Sequence, residues 1–285
     1  MTATAVSPSS PPPAPQSRAS APSTPPGSAR LIYRQFRYWV TYSRRTWRGT
    51  VLSAIFGPAF YLTAMGLGLG TLVDRNHNLP GGVGYLAFVA PGVLAATAMQ
   101  TAFGEGTYPV LGSVKWFGNY WAAVNTPQRP KDIVAGHAAL AVVRMTVFTG
   151  IFLAFSAAFG AVHSALGILA WPGAVLTGAA FLLPIMAYVI TLDSDASLNT
   201  LFRFVMTPLF LFSGTFFPLS QLPAGLRALA VATPLWHGVA LCRAFSLGTA
   251  AGDPVGMLGH ATYLVVLAAV GIWAGDRTYR RRLYV

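Results

Sequence analysis

The residues of this chain that could bind a nucleotide are few, and their spacing does not fit that use. A phosphate-binding loop needs Gly-x-x-x-x-Gly-Lys followed by Ser or Thr, because the lysine contacts the phosphates and the hydroxyl group binds Mg²⁺. The two lysines, Lys115 and Lys131, instead precede Trp116 and Asp132. The sequence therefore predicts no ATP site by this route and no cofactor. If ATP drives the protein, a separate polypeptide must bind ATP and Mg²⁺.

Residues that could hold a metal ion or act as nucleophiles are also scattered. The histidines at positions 137, 163, 237 and 260 lie in different segments, without a spacing typical of metal ligands. Cys242 is the only cysteine, which excludes an internal disulfide and a cysteine-based metal cluster. No nucleophile elbow and no useful pair of carboxylates is present. We predict no metal site and no enzymatic activity.

Arg144 is the one clear charge inside an apolar segment. A charge at that depth is typical of an ion pair that changes with conformation, or of a contact with a transported solute. The alternative is a side chain that reaches towards the membrane interface or pairs locally. The sequence leaves both interpretations open.

The composition assigns the chain to a membrane. Of the 285 residues, 54% are hydrophobic and only 9% are charged, whereas soluble domains carry about 25% charged residues. The net charge of +12 would by itself suit a nucleic acid or an anionic lipid. Because a spanning helix needs about 20 apolar residues, the length accommodates six spans.

Three segments follow one another along the chain. Residues 1–29 predict a disordered, cytoplasmic tail rich in Pro, Ser and Ala, and residues 50–285 predict a six-span transmembrane domain. Residues 30–49 predict an amphipathic helix at the membrane interface, because arginines and large apolar residues gather on opposite sides of a helical wheel. The residues that define this interfacial helix are Arg34, Arg37, Trp39, Arg44, Trp47 and Arg48.

The expected fold is an all-α integral membrane protein. Its six spans are predicted at residues 51–73, 84–103, 133–161, 166–192, 204–217 and 259–274. Between the last two, short apolar helices at 226–232 and 235–247 predict a re-entrant hairpin on the outer side.

The basic residues predict the orientation of these spans. With the N-terminus inside, 15 of the 19 Lys and Arg residues lie on the inner side and three on the outer side. This asymmetry predicts cytoplasmic N- and C-termini. It explains the positive charge without nucleic acid and places basic residues beside anionic lipid headgroups.

Several motifs together resemble the permease subunits of type-2 ABC exporters. The cytoplasmic loop before the third span of that family resembles YWAAVNTP at 120–127 and PKDIVAG at 130–136. Its fifth-span signature is similar to LFSGTFFP at 211–218, and TPLWHG at 233–238 also matches. The motif YLAFVAPG at 85–92 looks most like the branch that exports nodulation lipo-oligosaccharides, followed by antibiotic-exporting permeases.

The resemblance implies a mechanism in a bacterial cell membrane. Two permease chains, identical or paired with a relative, form the pathway, and two cytoplasmic ATPase chains that bind ATP and Mg²⁺ supply the energy. A coupling helix, roughly residues 116–126, would dock on the ATPase; the alternative is that its aromatic residues lie among lipid headgroups. The coupling-loop residues assigned in this way are Trp116, Tyr120, Trp121, Thr126, Pro127 and Asp132.

The outer hairpin would, by the same resemblance, gate the exit of the pathway; ordinary packing is the alternative. The residues assigned to this gate are Ser213, Gly214, Phe216, Phe217, Pro218 and Trp236. One departure concerns His137, which stands where the family often has Glu, so no role of that acid carries over.

An apolar pathway favours an amphipathic cargo, either a lipid-linked glycan or a hydrophobic antibiotic. An ion-coupled carrier or channel is the alternative function.

Overall fold

The computed structural model describes residues 27–45, 47–74 and 82–284. Within these ranges all regular structure is helical. Most of the predicted tail, residues 1–26, lies outside them. The helices are α1 (Ser28–Ser43), α2 (Trp47–Thr63), α3 (Tyr85–Gly106), α4 (Tyr108–Lys115), α5 (Asn119–Val124), α6 (Pro130–Ala158), α7 (Ala170–Val189), α8 (Ala196–Phe212), α9 (Ala224–Val231), α10 (Pro234–Leu247) and α11 (Pro254–Leu283).

Five helical segments are long and apolar enough to cross a membrane, which confirms the all-helical membrane class. Helix α2 continues through a π-helical turn (Ala64–Gly70) to Asp74, and a 3₁₀ turn (Ala165–Leu169) precedes α7. The spanning segments are Ala54–Asp74, Tyr85–Lys115, Pro130–Ala158, Ala165–Val189 and Pro254–Leu283. They coincide with the first, second, third, fourth and sixth predicted spans.

The fifth predicted span differs from the structure. Helix α8 begins at Ala196, eight residues before the predicted start, and ends at Phe212, so it is shorter than the five spanning segments. The chain leaves the helix after Phe212 because Gly214 adopts the left-handed conformation, with φ of +77°. The motif at 213–217 is therefore a break that follows α8.

The two predicted short helices after this break are present as α9 and α10. They meet at an angle of 79°, a geometry shared by a broken span and a re-entrant loop. The described residues thus contain five spanning helices, or six if this bent pair counts as one span.

Helix α3 lies at the centre of the bundle. In an apolar 18-residue window of Tyr85–Lys115, 78% of the residues are buried, against 12% and 11% in the corresponding windows of the first spanning segment and of α11. Small residues, including Ala95, Ala96, Ala98 and Ala102, let neighbouring helices approach α3 closely. The outer helices leave large apolar side chains for lipid or a second chain.

Candidate functional site

Helix α1 packs one face against α6. Its buried side chains are Leu31, Gln35 and Trp39, spaced by four residues, while Arg34 and Arg37 are exposed on the other side. The close approach depends on Gly136 in α6, because a Cβ atom there would lie 2.5 Å from the Cβ atom of Gln35. Trp39 is only 5% exposed and faces the bundle, although the sequence analysis placed it on a membrane-anchoring face.

The interfacial helix ends earlier than predicted. Helix α1 stops at Ser43, whose hydroxyl group donates a hydrogen bond to the carbonyl oxygen of Trp39 at 2.8 Å. Arg44 lies in the turn that follows, and Trp47 and Arg48 already belong to α2. The side chain of Trp47 lies outside the described part of the chain.

Gly136→Ala should displace α1 from α6. The added methyl group would also lie 2.9 Å from the carbonyl oxygen of Ile32, so the backbone must shift. We expect the free energy of unfolding to fall by about 1–3 kcal/mol, measured by thermal unfolding in detergent. Gly104→Ala in α3 is the matched control, since nothing lies within 4 Å of its Cβ position. Equal stability of the two variants would contradict this packing.

Four buried aromatic side chains join α1, α5, α6 and α11; we call Trp39, Tyr120, His137 and Tyr279 the aromatic junction. The hydroxyl group of Tyr120 lies 2.6 Å from Nδ1 of His137. The ring of Trp39 stacks on His137 with centroids 4.0 Å apart, and the ring of Tyr279 lies 5.8 Å from that of Tyr120. The junction therefore connects α1 and the loop that contains α5 to two spanning helices, α6 and α11.

The chemistry of the aromatic junction is that of neutral groups. Burial raises the pKa of Tyr120 above its ordinary value, so its hydroxyl group keeps its proton and can donate to Nδ1 of His137. Among the described residues, Nε1 of Trp39 and Nε2 of His137 have no hydrogen-bond partner. The junction is thus held by ring packing and one short hydrogen bond.

The coupling helix is shorter than predicted. Helix α5 covers Asn119–Val124 and follows Gly118, which has a φ of +63°. The aromatic side chains that remain accessible are Trp116, Phe117 and Trp121, which are 56%, 68% and 37% exposed. Thr126 and Pro127 are exposed as well.

Two of the assigned coupling-loop residues are buried instead. Tyr120 and Asp132 are both 0% exposed, so neither can contact a docked protein directly. Asp132 accepts a hydrogen bond from the backbone N–H of Arg129 at 3.2 Å and caps the start of α6. Both residues position the loop, and the sequence analysis did not distinguish positioning from contact.

A carboxylate also ties the ends of three helices together at this end of the bundle. Asp193, which follows α7, lies 2.6 Å from Nη2 of Arg282 in α11 and 3.3 Å from Nζ of Lys115 in α4. Hydrogen bonds from Arg282 and Lys115 hold the pKa of Asp193 below its usual value. Because Asp193 is exposed, salt weakens this link.

Arg144 forms an ion pair, which fits both a conformation-dependent pair and a local one. Its Nη1 contacts the carboxylate of Glu105 in α3, and its Nη2 donates to the hydroxyl group of Ser43 at 2.6 Å. The side chains of Arg144 and Glu105 are 24% and 13% exposed. Arg144 thereby links the end of α1 to α3 and α6. Glu105 stands 39 residues earlier, and no sequence spacing identified it as the partner.

A cavity of about 580 Å³ opens beside this ion pair, between α2, α3, α6 and α8. Its polar wall is one face of α3, because Thr97, Gln100, Thr101 and Glu105 follow helical spacing. The remaining large lining side chains are aromatic: Tyr61, Phe148, Phe152 and Phe210. The cavity can hold an apolar body against the rings and a neutral polar group against α3.

Arg243 fixes the break after α8. Its Nε donates to the carbonyl oxygen of Phe88 at 3.1 Å and its Nη2 to that of Gly214 at 2.8 Å. The guanidinium carbon also lies 3.9 Å from the centre of the Phe88 ring, a cation–π contact. The hydroxyl group of Ser213 lies 3.1 Å from that of Thr233. These contacts hold the break against α3 and the start of α10.

The other assigned gate residues lie close to this break. A Cβ atom at Gly214 would lie 3.8 Å from Trp236, and Phe216 packs on Phe210 with ring centroids 5.0 Å apart. Phe217 and Pro218 are half-buried and lead out of the break. Trp236 also packs on a histidine pair, in which Nδ1 of His237 lies 2.8 Å from Nδ1 of His260. Sequence analysis did not find this pair, because its members are on different helices.

Comparison with known proteins decides the family. The model of the ABC-2 type transporter family matches residues 28–245, about three quarters of the chain. This chain belongs to the ABC-2 type transporter family. The match begins with α1 and ends within α10, so it covers the cavity, the break and most of the aromatic junction.

Similar proteins from rhizobia agree with this assignment. Nodulation protein J of Rhizobium leguminosarum bv. trifolii is 31% identical over 262 residues, covering 86% of this chain and 94% of that protein. The Rhizobium meliloti (strain 1021) protein of the same name is 30% identical over 263 residues, covering 86% and 94%. That of Bradyrhizobium diazoefficiens is 30% identical over 272 residues, covering 90% and 98%. The resemblance drawn from the motifs is confirmed.

Membership of the ABC-2 family makes the chain the membrane subunit of a transporter. This assignment agrees with its multi-pass helices. Helix α11 lies beyond the matched residues, yet it supplies Tyr279 to the aromatic junction.

Proposed function

We propose that this chain is the permease subunit of an ATP-driven exporter whose ATPase is a separate, dimeric protein. The observation that carries the proposal is the aromatic junction. It packs the coupling loop against α1, α6 and α11. A displacement of the loop by the ATPase would therefore also move the spanning helices α6 and α11. The short buried contact between Tyr120 and His137 supports such a rigid connection.

The ATPase would dock on the exposed aromatic side chains of the coupling loop. Aromatic residues contribute strongly to binding energies at protein interfaces, and Trp116, Phe117 and Trp121 are accessible together with Thr126 and Pro127. The basic residues at this end of the bundle favour a cytoplasmic position by the positive-inside rule. The exposed arginines of α1, Arg34 and Arg37, would then lie among lipid headgroups.

A second permease chain, identical or related, would complete the pathway. Phe56 and Phe60 on α2 and Phe204 on α8 are 50%, 71% and 74% exposed. These two helices also line the cavity. Pairing of two chains across α2 and α8 would bury these rings and enclose the cavity between the subunits.

The cargo would be amphipathic and would move outward. The aromatic wall suits an acyl chain or ring system, and the α3 wall offers hydroxyl and amide groups to a neutral polar part. Because Arg144 is neutralised by Glu105, the cavity offers no isolated charge to an ionic solute. The motif resemblance favours a lipo-oligosaccharide or lipid-linked glycan over a hydrophobic antibiotic.

The docking proposal is tested by co-expression and co-purification with a candidate ABC ATPase from the same genome. Phe117→Ala with Trp121→Ala should reduce the amount of bound ATPase at least tenfold, because two of the three accessible rings are lost. Ile272→Ala with Trp273→Ala is the matched control, since these exposed side chains lie on α11. Undiminished ATPase binding by the first variant would contradict the proposal. Transport by the isolated chain under an ion gradient would favour a carrier instead.

A further inference from the structure

A second cavity, of about 210 Å³, lies between the start of α6 and the end of α11. We call it the basic pocket; its lining residues are Arg129, Pro130, Lys131, Arg280 and Tyr284. Three of these five residues carry a positive charge and none carries a negative charge. Neither the coupling loop nor the membrane cavity uses these side chains.

The nearby carboxylates do not neutralise the basic pocket. Asp132 is buried, and one of its oxygens is occupied by the backbone N–H of Arg129. Asp276 pairs with Nε of Arg280 at 3.0 Å and can balance one of the three charges at most. Even with Asp132 counted as a second negative charge, the pocket keeps a net positive charge of about one and attracts an anion.

The position of the basic pocket on α11 indicates where that anion comes from. Positions 272, 276, 280 and 284 are four residues apart and share one face of the helix. Ile272 is 60% exposed on this face, within the apolar part of α11. The buried stripe of α11 runs through Gly271, Gly275, Tyr279 and Leu283 instead. Arg280 and Tyr284 thus continue the face that meets lipid.

The basic pocket lies just beyond the apolar part of α11, within reach of lipid headgroups. Arg280 is eight residues beyond Ile272, about 12 Å along the helix axis. A bilayer has a hydrocarbon core of about 30 Å and headgroup layers that bring the total to about 40–45 Å. Trp273, with the guanidinium group of Arg277 4.7 Å from its ring centre, is typical of the boundary between these layers. Arg280 lies about 10 Å beyond Trp273 along the helix axis, and its long side chain can reach back to the phosphate layer.

We propose that the basic pocket binds the phosphate group of an anionic phospholipid of the adjoining leaflet. Arginine and lysine side chains donate charge-assisted hydrogen bonds to phosphate oxygens, and the hydroxyl group of Tyr284 is a further donor. A bound lipid would bridge α6 and α11 close to His137 and Tyr279, and so would brace the aromatic junction from the lipid side. This lipid is a resident ligand and is distinct from the exported cargo.

The test uses the full-length chain with its partner ATPase, reconstituted in nanodiscs of phosphatidylcholine with phosphatidylglycerol. Native mass spectrometry after extraction measures the phosphatidylglycerol retained. Arg129→Gln with Arg280→Gln should reduce retention at least tenfold. The matched control is Arg277→Gln with Arg281→Gln, which removes the same charge from exposed positions outside the pocket. Arg280→Lys keeps the charge and should retain most of the lipid.

Three results would overturn the proposal. The first is equal retention of phosphatidylglycerol by the wild type and both double variants. The second is displacement of the lipid by millimolar inorganic phosphate, which would identify a site for soluble anions. The third is loss of the ATPase from the Arg129→Gln and Arg280→Gln variant while the lipid stays bound. That result would assign the pocket to an acidic protein surface.

Discussion

Arg144→Met should lower the free energy of unfolding by about 2–4 kcal/mol and reduce transport at least tenfold. Removing one partner of a buried ion pair costs about 3–5 kcal/mol, because the other charge stays buried and unpaired. We expect somewhat less here, since Arg144 and Glu105 are 24% and 13% exposed beside the cavity. Thermal unfolding and cargo-stimulated ATPase activity of the reconstituted complex measure the two effects.

The double variant Arg144→Met with Glu105→Gln separates the ion pair from other causes. It removes both charges, so most of the lost stability should return. Ser43→Ala, which deletes the hydrogen bonds of the Ser43 hydroxyl group with Nη2 of Arg144 and with the carbonyl oxygen of Trp39, should cost about 1–2 kcal/mol. Should Arg144→Met leave stability intact and change only the cargo dependence of ATPase activity, the residue would be a substrate contact instead.

Tyr120→Ala should uncouple the permease from its ATPase and lower the free energy of unfolding by about 3–5 kcal/mol. The substitution empties a completely buried site, and large-to-small changes of aromatic residues in a core have this cost. It also removes the hydroxyl group that contacts Nδ1 of His137. Tyr120→Phe keeps the ring and should cost about 1–3 kcal/mol. Thermal unfolding and cargo-stimulated ATPase activity measure both variants.

Phe117→Ala is the control that distinguishes contact from positioning. Phe117 is 68% exposed, so its loss should change stability by no more than about 0.5 kcal/mol. It should nevertheless weaken the binding of the ATPase. Tyr120→Ala should therefore lower stability far more than Phe117→Ala does, whereas Phe117→Ala should weaken ATPase binding without a loss of stability. A Tyr120→Ala protein as stable as the wild type would show that the aromatic junction does not hold the loop.

The sequence predicted most spanning helices because a span must be long, apolar and internally hydrogen-bonded. The prediction failed at α8, where Gly214 allows the chain to turn out of the helix within an apolar run. Hydropathy does not record this break, because Phe216 and Phe217 are as apolar as the helix before them. The sequence signal for the break was Gly214, followed four residues later by Pro218.

Contacts between distant segments could not be predicted in the same way. The helical wheel separated the arginines of α1 from its apolar residues, but it could not show that Trp39 and Gln35 pack on a neighbouring helix. The Tyr120–His137 and Arg144–Glu105 pairs join different helices, so their geometry depends on the packing of the whole bundle. Small residues such as Gly136 mark a close approach, yet they do not identify the partner.

The burial of α3 has a consequence for how the protein is assembled. A helix released alone into a bilayer must be apolar on all sides, whereas α3 carries Thr97, Gln100, Thr101 and Glu105 along one face. Its partners come later in the chain, since Arg144 is in α6 and the break that covers Phe88 and Gly92 follows α8. Polar side chains facing lipid are costly until such partners arrive. Helix α3 is therefore the span most dependent on assistance during insertion, and α11, whose apolar part is mostly exposed in the single chain, is the least dependent.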